Sequence, residues 1–144
     1  QDVNPPIPDS LKVFFTKEEI SDFEEGYKVF YSEKNEVYYV TYYIIDADRK
    51  IISMKGYFFK DAQVGEGKEY YSNGKISLEW NFVITNDLTS EIIDLKKFNN
   101  ILRRNPDLET YNFRRHGEWK YYSEDGKLLK IEKYDRGKLI NTEK

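Results

Sequence analysis

The chain carries few groups suited to acid–base or nucleophilic chemistry. His116 is the only histidine and cysteine is absent, which excludes a catalytic triad built on two histidines, a thiolate metal site and a disulfide framework. A lone histidine beside Arg114-Arg115 lacks the orienting partner of a general base and reads as a surface residue. Five glutamates, Glu66, Glu69, Glu79, Glu118 and Glu132, fall on or beside the patterned segments, and two acids flanking a cleft are what a glycosidase uses. Glu69 and Glu79 are expected as cross-strand neighbours on a lysine-bearing wet face, where surface pairing is the simpler role. Gly65-Glu66-Gly67 lacks the third glycine and the helix of a dinucleotide site and reads as a turn. The types best suited to binding are aromatic. Tyr71, Tyr122, Trp80 and Trp119 form the candidate interaction surface, able to stack on a glycan or a peptide. Tyr71 and Tyr122 are preferred, because Tyr70 and Tyr121 would take the opposite face, while both tryptophans read first as core. No catalytic residue, cofactor or metal ligand is assigned.

These residues sit on a repeated pattern. Gly67-Lys-Glu-Tyr-Tyr-Ser-Asn-Gly-Lys-Ile76 and Gly117-Glu-Trp-Lys-Tyr-Tyr-Ser-Glu-Asp-Gly-Lys-Leu128 each run from an aromatic strand through a polar turn into an apolar strand. Lys75 precedes Phe82, Lys127 precedes Tyr134 and Lys50 precedes Tyr57 by the same interval, which predicts three β-hairpins. The turn residues are Asn73, Gly74 and Lys75 in one copy and Asp125, Gly126 and Lys127 in the next, with Gly137 and Lys138 opening a truncated fourth. Asn73-Gly74 is expected to form a two-residue type I′ turn; Asp125-Gly126 turns with one more residue in its loop. Strand alternation then puts Ile76, Leu78, Trp80 and Phe82 on a dry face and Lys75, Ser77, Glu79 and Asn81 on a wet one. A single hairpin is marginal in water, so the copies must join in one meander, with tyrosines lining the joints.

The remaining segments frame that array. Residues 1–10 hold three prolines and read as a flexible arm, and residues 11–144 as one domain. Leu11–Phe15 is a candidate strand, and Thr16-Lys-Glu-Glu19 matches a capping box for a short N-terminal helix that buries Ile20 and Phe23 and ends at Gly26. Residues 84–110 are a helical insertion. Within it Thr89 to Arg104 carries Ile92, Leu95, Phe98 and Leu102 on one stripe, with Glu91 and Asp94 at the start, Arg103-Arg104 at the end and Asn105-Pro106 as the stop. This amphipathic helix is expected to pack on the apolar face of the sheet.

Aromatic residues make up 17% of the 144 positions, with 13 Tyr and 9 Phe, which argues for a packed β-rich core and against disorder. The net charge of −3 is uneven. Residues 1–50 hold 6 basic and 11 acidic groups, residues 113–144 hold 9 and 6. No dense basic face for nucleic acid is present, and no apolar run approaches a transmembrane segment. A start at Gln1 without methionine, followed by a proline-rich lead-in, is what a mature exported chain or a trimmed one would show. The expected location is the periplasm or cell surface of a bacterium, with the signal peptide removed.

The elements Gly67…Tyr70-Tyr71…Asn73-Gly74-Lys75-Ile76, Gly117…Trp119…Tyr121-Tyr122…Asp125-Gly126-Lys127-Leu128 and Gly137-Lys138-Leu139 resemble the MORN-type repeat (membrane occupation and recognition nexus) in the bacterial variant known as the YwqK-like antitoxin family. The resemblance covers roughly residues 37–82 and 113–140. It implies a mainly β fold, a meandering antiparallel sheet of β-hairpin repeats, and a non-enzymatic interaction scaffold. The expected partner is a protein of the cell envelope, or a second copy, held through the sheet face or its open edge at Gly137–Ile140. The alternative is a glycan-binding or carbohydrate-active protein that uses exposed aromatics and paired carboxylates.

Overall fold

The computed structural model describes residues 18–23, 27–32, 37–46, 49–59, 62–94, 97–104 and 110–144. The expected flexible arm, the strand at Leu11–Phe15 and the residues Thr16 and Gly26 lie outside that set. Within it the chain is an antiparallel β-meander. The strands are β1 (Glu18–Phe23), β2 (Tyr27–Ser32), β3 (Val37–Asp46), β4 (Arg49–Phe59), β5 (Ala62–Tyr70), β6 (Ile76–Asn86), β7 (Ile92–Ile93), β8 (Tyr111–Arg115), β9 (Gly117–Tyr122), β10 (Leu128–Asp135) and β11 (Lys138–Glu143). Their order across the sheet is β1-β2-β3-β4-β5-β6-β9-β10-β11, with β7 and β8 both paired to β6.

The short N-terminal helix is not formed. Glu18–Phe23 is a strand paired with Tyr27–Ser32 over six positions. One isolated helical turn is weak in water, whereas the strand completes a ladder along β2.

The three lysines mark hairpins as expected. Asp46 pairs with Arg49, Tyr70 with Ile76 and Tyr122 with Leu128, so Lys50, Lys75 and Lys127 each lie just past a bend between paired neighbours. The turn chemistry differs from the expectation. Tyr71 N–H donates to Lys75 O at 2.8 Å and Gly74 N–H to Tyr71 O at 2.9 Å; Ser123 and Gly126 repeat the pattern at 2.8 and 3.0 Å. Gly74 and Gly126 have positive φ (88° and 93°), but Asn73 and Asp125 do not. Both loops are therefore the same three-residue type I turn closed by a left-handed glycine. The two-residue turn with positive φ at both positions occurs instead at Arg136 (47°) and Gly137 (95°), between the paired residues Asp135 and Lys138.

This geometry also realigns the copies. Gly65, not Gly67, is the counterpart of Gly117: both have positive φ (65° and 74°), and they face Phe82 and Tyr134 respectively. Gly67 then corresponds to Trp119 and Trp80 to Glu132. Gly67 pairs with Trp80 in one copy, and Trp119 pairs with Glu132 in the next, so the large ring changes strand between copies.

The helical insertion is shorter than expected. Its first half holds β7, whose Ile92 and Ile93 pair with Thr85 and Ile84 beyond the point where the pairing of β5 with β6 stops, at Gly65 opposite Phe82. Two β-branched residues beside an open ladder favour pairing over a helix start. The helix α1 covers only Phe98–Arg104. It still packs on the sheet. Phe98 is fully buried against Phe59 (ring centroids 4.9 Å) and Tyr111 (5.5 Å), in a core with Tyr57, Val64 and Ile84 that Ile93, Ile101 and Phe113 border. Burying a side chain of this size stabilises by about 1.5–3 kcal/mol. The side chains of Leu95 and Leu102 lie outside the described residues, while Ile92 stays half exposed. Adjacent Ile84 and Thr85 are both buried, so past Phe82 the wet and dry division ends and β6 is covered on both faces.

Candidate functional site

The four aromatic candidates separate into two groups. Trp80 and Trp119 are each 5% exposed and present no ring to solvent. Register places Val40, Gly56, Gly67 and Trp80 side by side across β3 to β6, and the indole fills the space that side chains on both glycines would need. Its Nε1 has no hydrogen-bond partner among the described residues. Trp119 donates from Nε1 to Asn81 O at 3.0 Å. Its ring meets Phe82 and Tyr134 edge-on at 5.2 and 5.9 Å, with the Arg115 guanidinium over it at 4.6 Å.

Tyr71 and Tyr122 are half-buried and meet at the joint between hairpins. Tyr71 hydroxyl donates to Tyr122 O at 2.6 Å, Asn73 Nδ2 to Glu124 O at 2.8 Å and Lys75 Nζ to Asp125 O at 3.2 Å. Three side chains of one turn thus clasp the backbone of the next. The second turn cannot repeat this outward, because Asp125 is an acceptor and is bonded to the Ser123 hydroxyl, which holds its carboxyl below the usual range. Lys127 N–H is braced by Ser123 Oγ at 3.2 Å.

Three of the five carboxylates, Glu66, Glu79 and Glu118, line one pocket of about 390 Å³ together with Lys68 and Lys120, and Glu79, Glu118 and Glu132 are each held by a hydroxyl or a lysine. Glu79 lies opposite Lys68, not Glu69, with Nζ at 3.8 Å, and it accepts from the Tyr122 hydroxyl. That bond, with burial second, pushes Tyr122 up to about 12. Glu132 accepts from the hydroxyls of Tyr121 (2.7 Å) and Tyr134 (3.1 Å) and lies 3.6 Å from Lys130. The Tyr121 bond is the main reason its carboxyl is held low. Burial first, and the Glu132 bond second, push Tyr121 up to about 12. Glu118 bridges Lys120 and Lys133 at 3.8 and 3.9 Å.

His116 is a structural wedge and not a free surface residue. β8 and β9 lie on the same side of β6, Arg115 opposite Phe82 and Lys120 opposite Glu79, so extra residues bulge between them at His116-Gly117. Asn81 ties the bulge down: its carbonyl accepts from His116 N–H (3.1 Å) and its Nδ2 donates to His116 O (3.1 Å). The imidazole Nδ1 accepts from Arg136 N–H at 3.1 Å, while Gly137 N–H donates to Arg115 O at 2.7 Å. The expected site residues Gly137 and Lys138 thus belong to a turn fastened to this bulge. Sequence reasoning missed this role; the positive φ forced on Gly117 was its only trace.

Among the described residues there is no group of three or more His, Cys, Asp or Glu side chains placed to hold a metal ion, and no helix long and apolar enough to cross a membrane.

The fold defines a class, an open antiparallel meander of tandem hairpins with a clasped joint. No family model and no curated protein matches the chain. Among solved structures, the crystal structure of the pneumococcal O-GlcNAc transferase GtfA in complex with UDP and GlcNAc is similar over 95% of this chain, at 12% identity and a TM-score of 0.44. The chain spans 21% of that protein's length.

Proposed function

We propose that this chain is a non-catalytic binding module of the bacterial cell envelope, exported and built from MORN-type hairpins, that holds a protein partner through the outer edge of its sheet. The observation that carries this reading is β11. It is the last strand in the sheet order, all six of its residues are exposed, and Leu139 and Ile140 stand 48% and 63% exposed. An unpaired edge with apolar side chains is a template for an added strand. The engagement of Glu79, Glu132 and His116 in structural hydrogen bonds supports a binding role over a catalytic one.

A photo-crosslinking residue at Asn141 tests the reading in cells of the source bacterium. The expected result is one dominant protein adduct that an Ile140→Pro variant, unable to donate in a new ladder, loses while its sheet stays folded by circular dichroism. An adduct unchanged in Ile140→Pro would overturn it. Adducts of this chain with itself alone would assign the edge to self-association.

A further inference from the structure

Beside the clasped joint lies a pocket of about 310 Å³ lined by Tyr71, Ser77, Tyr121, Tyr122, Leu129, Lys130 and Lys144, at the small end of the range that holds ligands. It brings together the two tyrosines singled out as candidate binders and adds Tyr121 to them. Two features define what would fit. All three tyrosine hydroxyls are already spent within the protein, on Tyr122 O, Glu132 and Glu79, so the tyrosines can offer ring surface and little polar capacity. The charged side chains at the rim are Lys130 and Lys144, with Glu132 3.6 Å from Lys130. Lys130 also sits 4.6 Å from the centre of the Tyr121 ring, which fixes an ammonium beside an aromatic face.

We propose that this pocket binds one acidic sugar residue, a uronate, with its C–H face against the tyrosine rings and its carboxylate toward Lys130 and Lys144. Ring faces stack against the apolar side of a pyranose, and the Ser77 hydroxyl supplies both donor and acceptor. The side-chain charge favours a monoanion. Glu132 offsets one of the two ammonium groups and Glu79, on the Tyr122 hydroxyl, is itself faced by Lys68, leaving a single unbalanced positive side-chain charge, and among the described residues no arginine lines the pocket to favour a phosphate. The site shares with the sheet edge only Lys144, which follows β11, and the uronate titration and the crosslink at Asn141 report on different contacts, so the two readings fail separately.

The test is a titration of the whole chain by calorimetry and proton NMR with D-glucuronate and D-galacturonate, against D-glucose, glucose 6-phosphate and benzoate. The expected result is uronate binding that shifts tyrosine ring resonances, with D-glucose at least fivefold weaker. Lys144→Gln, an exposed substitution that leaves the fold intact, should weaken uronate binding by about three- to fivefold, the size of one exposed ion pair. Leu129→Ala should weaken it while leaving its salt dependence unchanged. D-glucose binding as well as glucuronate would overturn the charge assignment, and glucose 6-phosphate binding tighter would overturn the choice of carboxylate. Benzoate binding as tightly would overturn the sugar. No resonance shift with either uronate would overturn the site.

Discussion

The indole of Trp80 occupies the place a side chain at Gly67 would need: a Cβ there would lie 2.2 Å from Trp80 Cε2. At Gly56, one strand further, the nearest indole atom would be 3.2 Å away. Packing of this closeness tolerates no added methyl. Gly67→Ala should therefore cost about 3 kcal/mol, the upper part of the usual overpacking range, read as a lower midpoint in urea unfolding. Gly74→Ala meets no atom within 4 Å but keeps a φ of 88°, and should cost only about 1–2 kcal/mol of backbone strain. A smaller loss at Gly67 than at Gly74 would show that the ring does not rest there.

The clasp between turns predicts coupled losses. Tyr71→Phe deletes the bond to Tyr122 O, and Asn73→Ala deletes the bond to Glu124 O together with the bond that Asn73 Oδ1 accepts from Lys75 N–H, each bond worth about 1 kcal/mol. Because both donors grip the same turn, the double variant should lose measurably less or more than the sum, by at least about 0.5 kcal/mol. Strict additivity in urea denaturation would separate the two contacts.

Tyrosine titration should be delayed. Tyr121 and Tyr122 are pushed up to about 12, above the usual tyrosine value near 10. A folded-state value above the unfolded one means stability is complete below about pH 10 and is lost as pH rises toward 12. Near-ultraviolet tyrosinate absorbance should show that late component, and Glu79→Gln should advance the Tyr122 part of it. Glu132 is shifted the other way, held low mainly by the Tyr121 hydroxyl. Its contribution is present above the ordinary glutamate range and fades as pH falls through its lowered value. Tyr121→Phe should shift the onset of acid unfolding to higher pH, and an unchanged acid limb would refute that.

Removing the imidazole should loosen the last hairpin. His116→Ala leaves Arg136 N–H without its 3.1 Å acceptor, a loss of about 1 kcal/mol at a half-exposed site. Amide exchange at Arg136 should accelerate, with exchange at Gly74 in the distant turn as the unchanged control.

The hairpins were legible because their signal is local. Glycine four residues after a paired tyrosine, a lysine next to it and alternating apolar residues fix Tyr70 opposite Ile76 and Tyr122 opposite Leu128 without reference to the rest of the fold. The burial of Trp80 followed from the same alternation, and that of Trp119 from ring size. What failed depended on neighbours the sequence does not display. Ile92 reads as a helix-stripe residue until β6 proves to have a vacant side beside Thr85. Glu18–Phe23 carries a helix signal that the edge of β2 outcompetes. The correspondence of Gly65 with Gly117 was hidden by the nearer match at Gly67. The tyrosine pocket combines residues from Tyr71 to Lys144 that no local pattern links.

Trp80 stands on β6 across from a bare glycine, whereas in the following hairpin Trp119 stands on the opposite member of the pair, facing Glu132. The units are therefore complementary without being interchangeable. A shortened or duplicated array, made by cutting at the turns, would set two indoles against each other or leave a hollow between glycines. The number and order of hairpins in this chain are locked by where its tryptophans sit, and lengthening it would require new joints instead of copied ones.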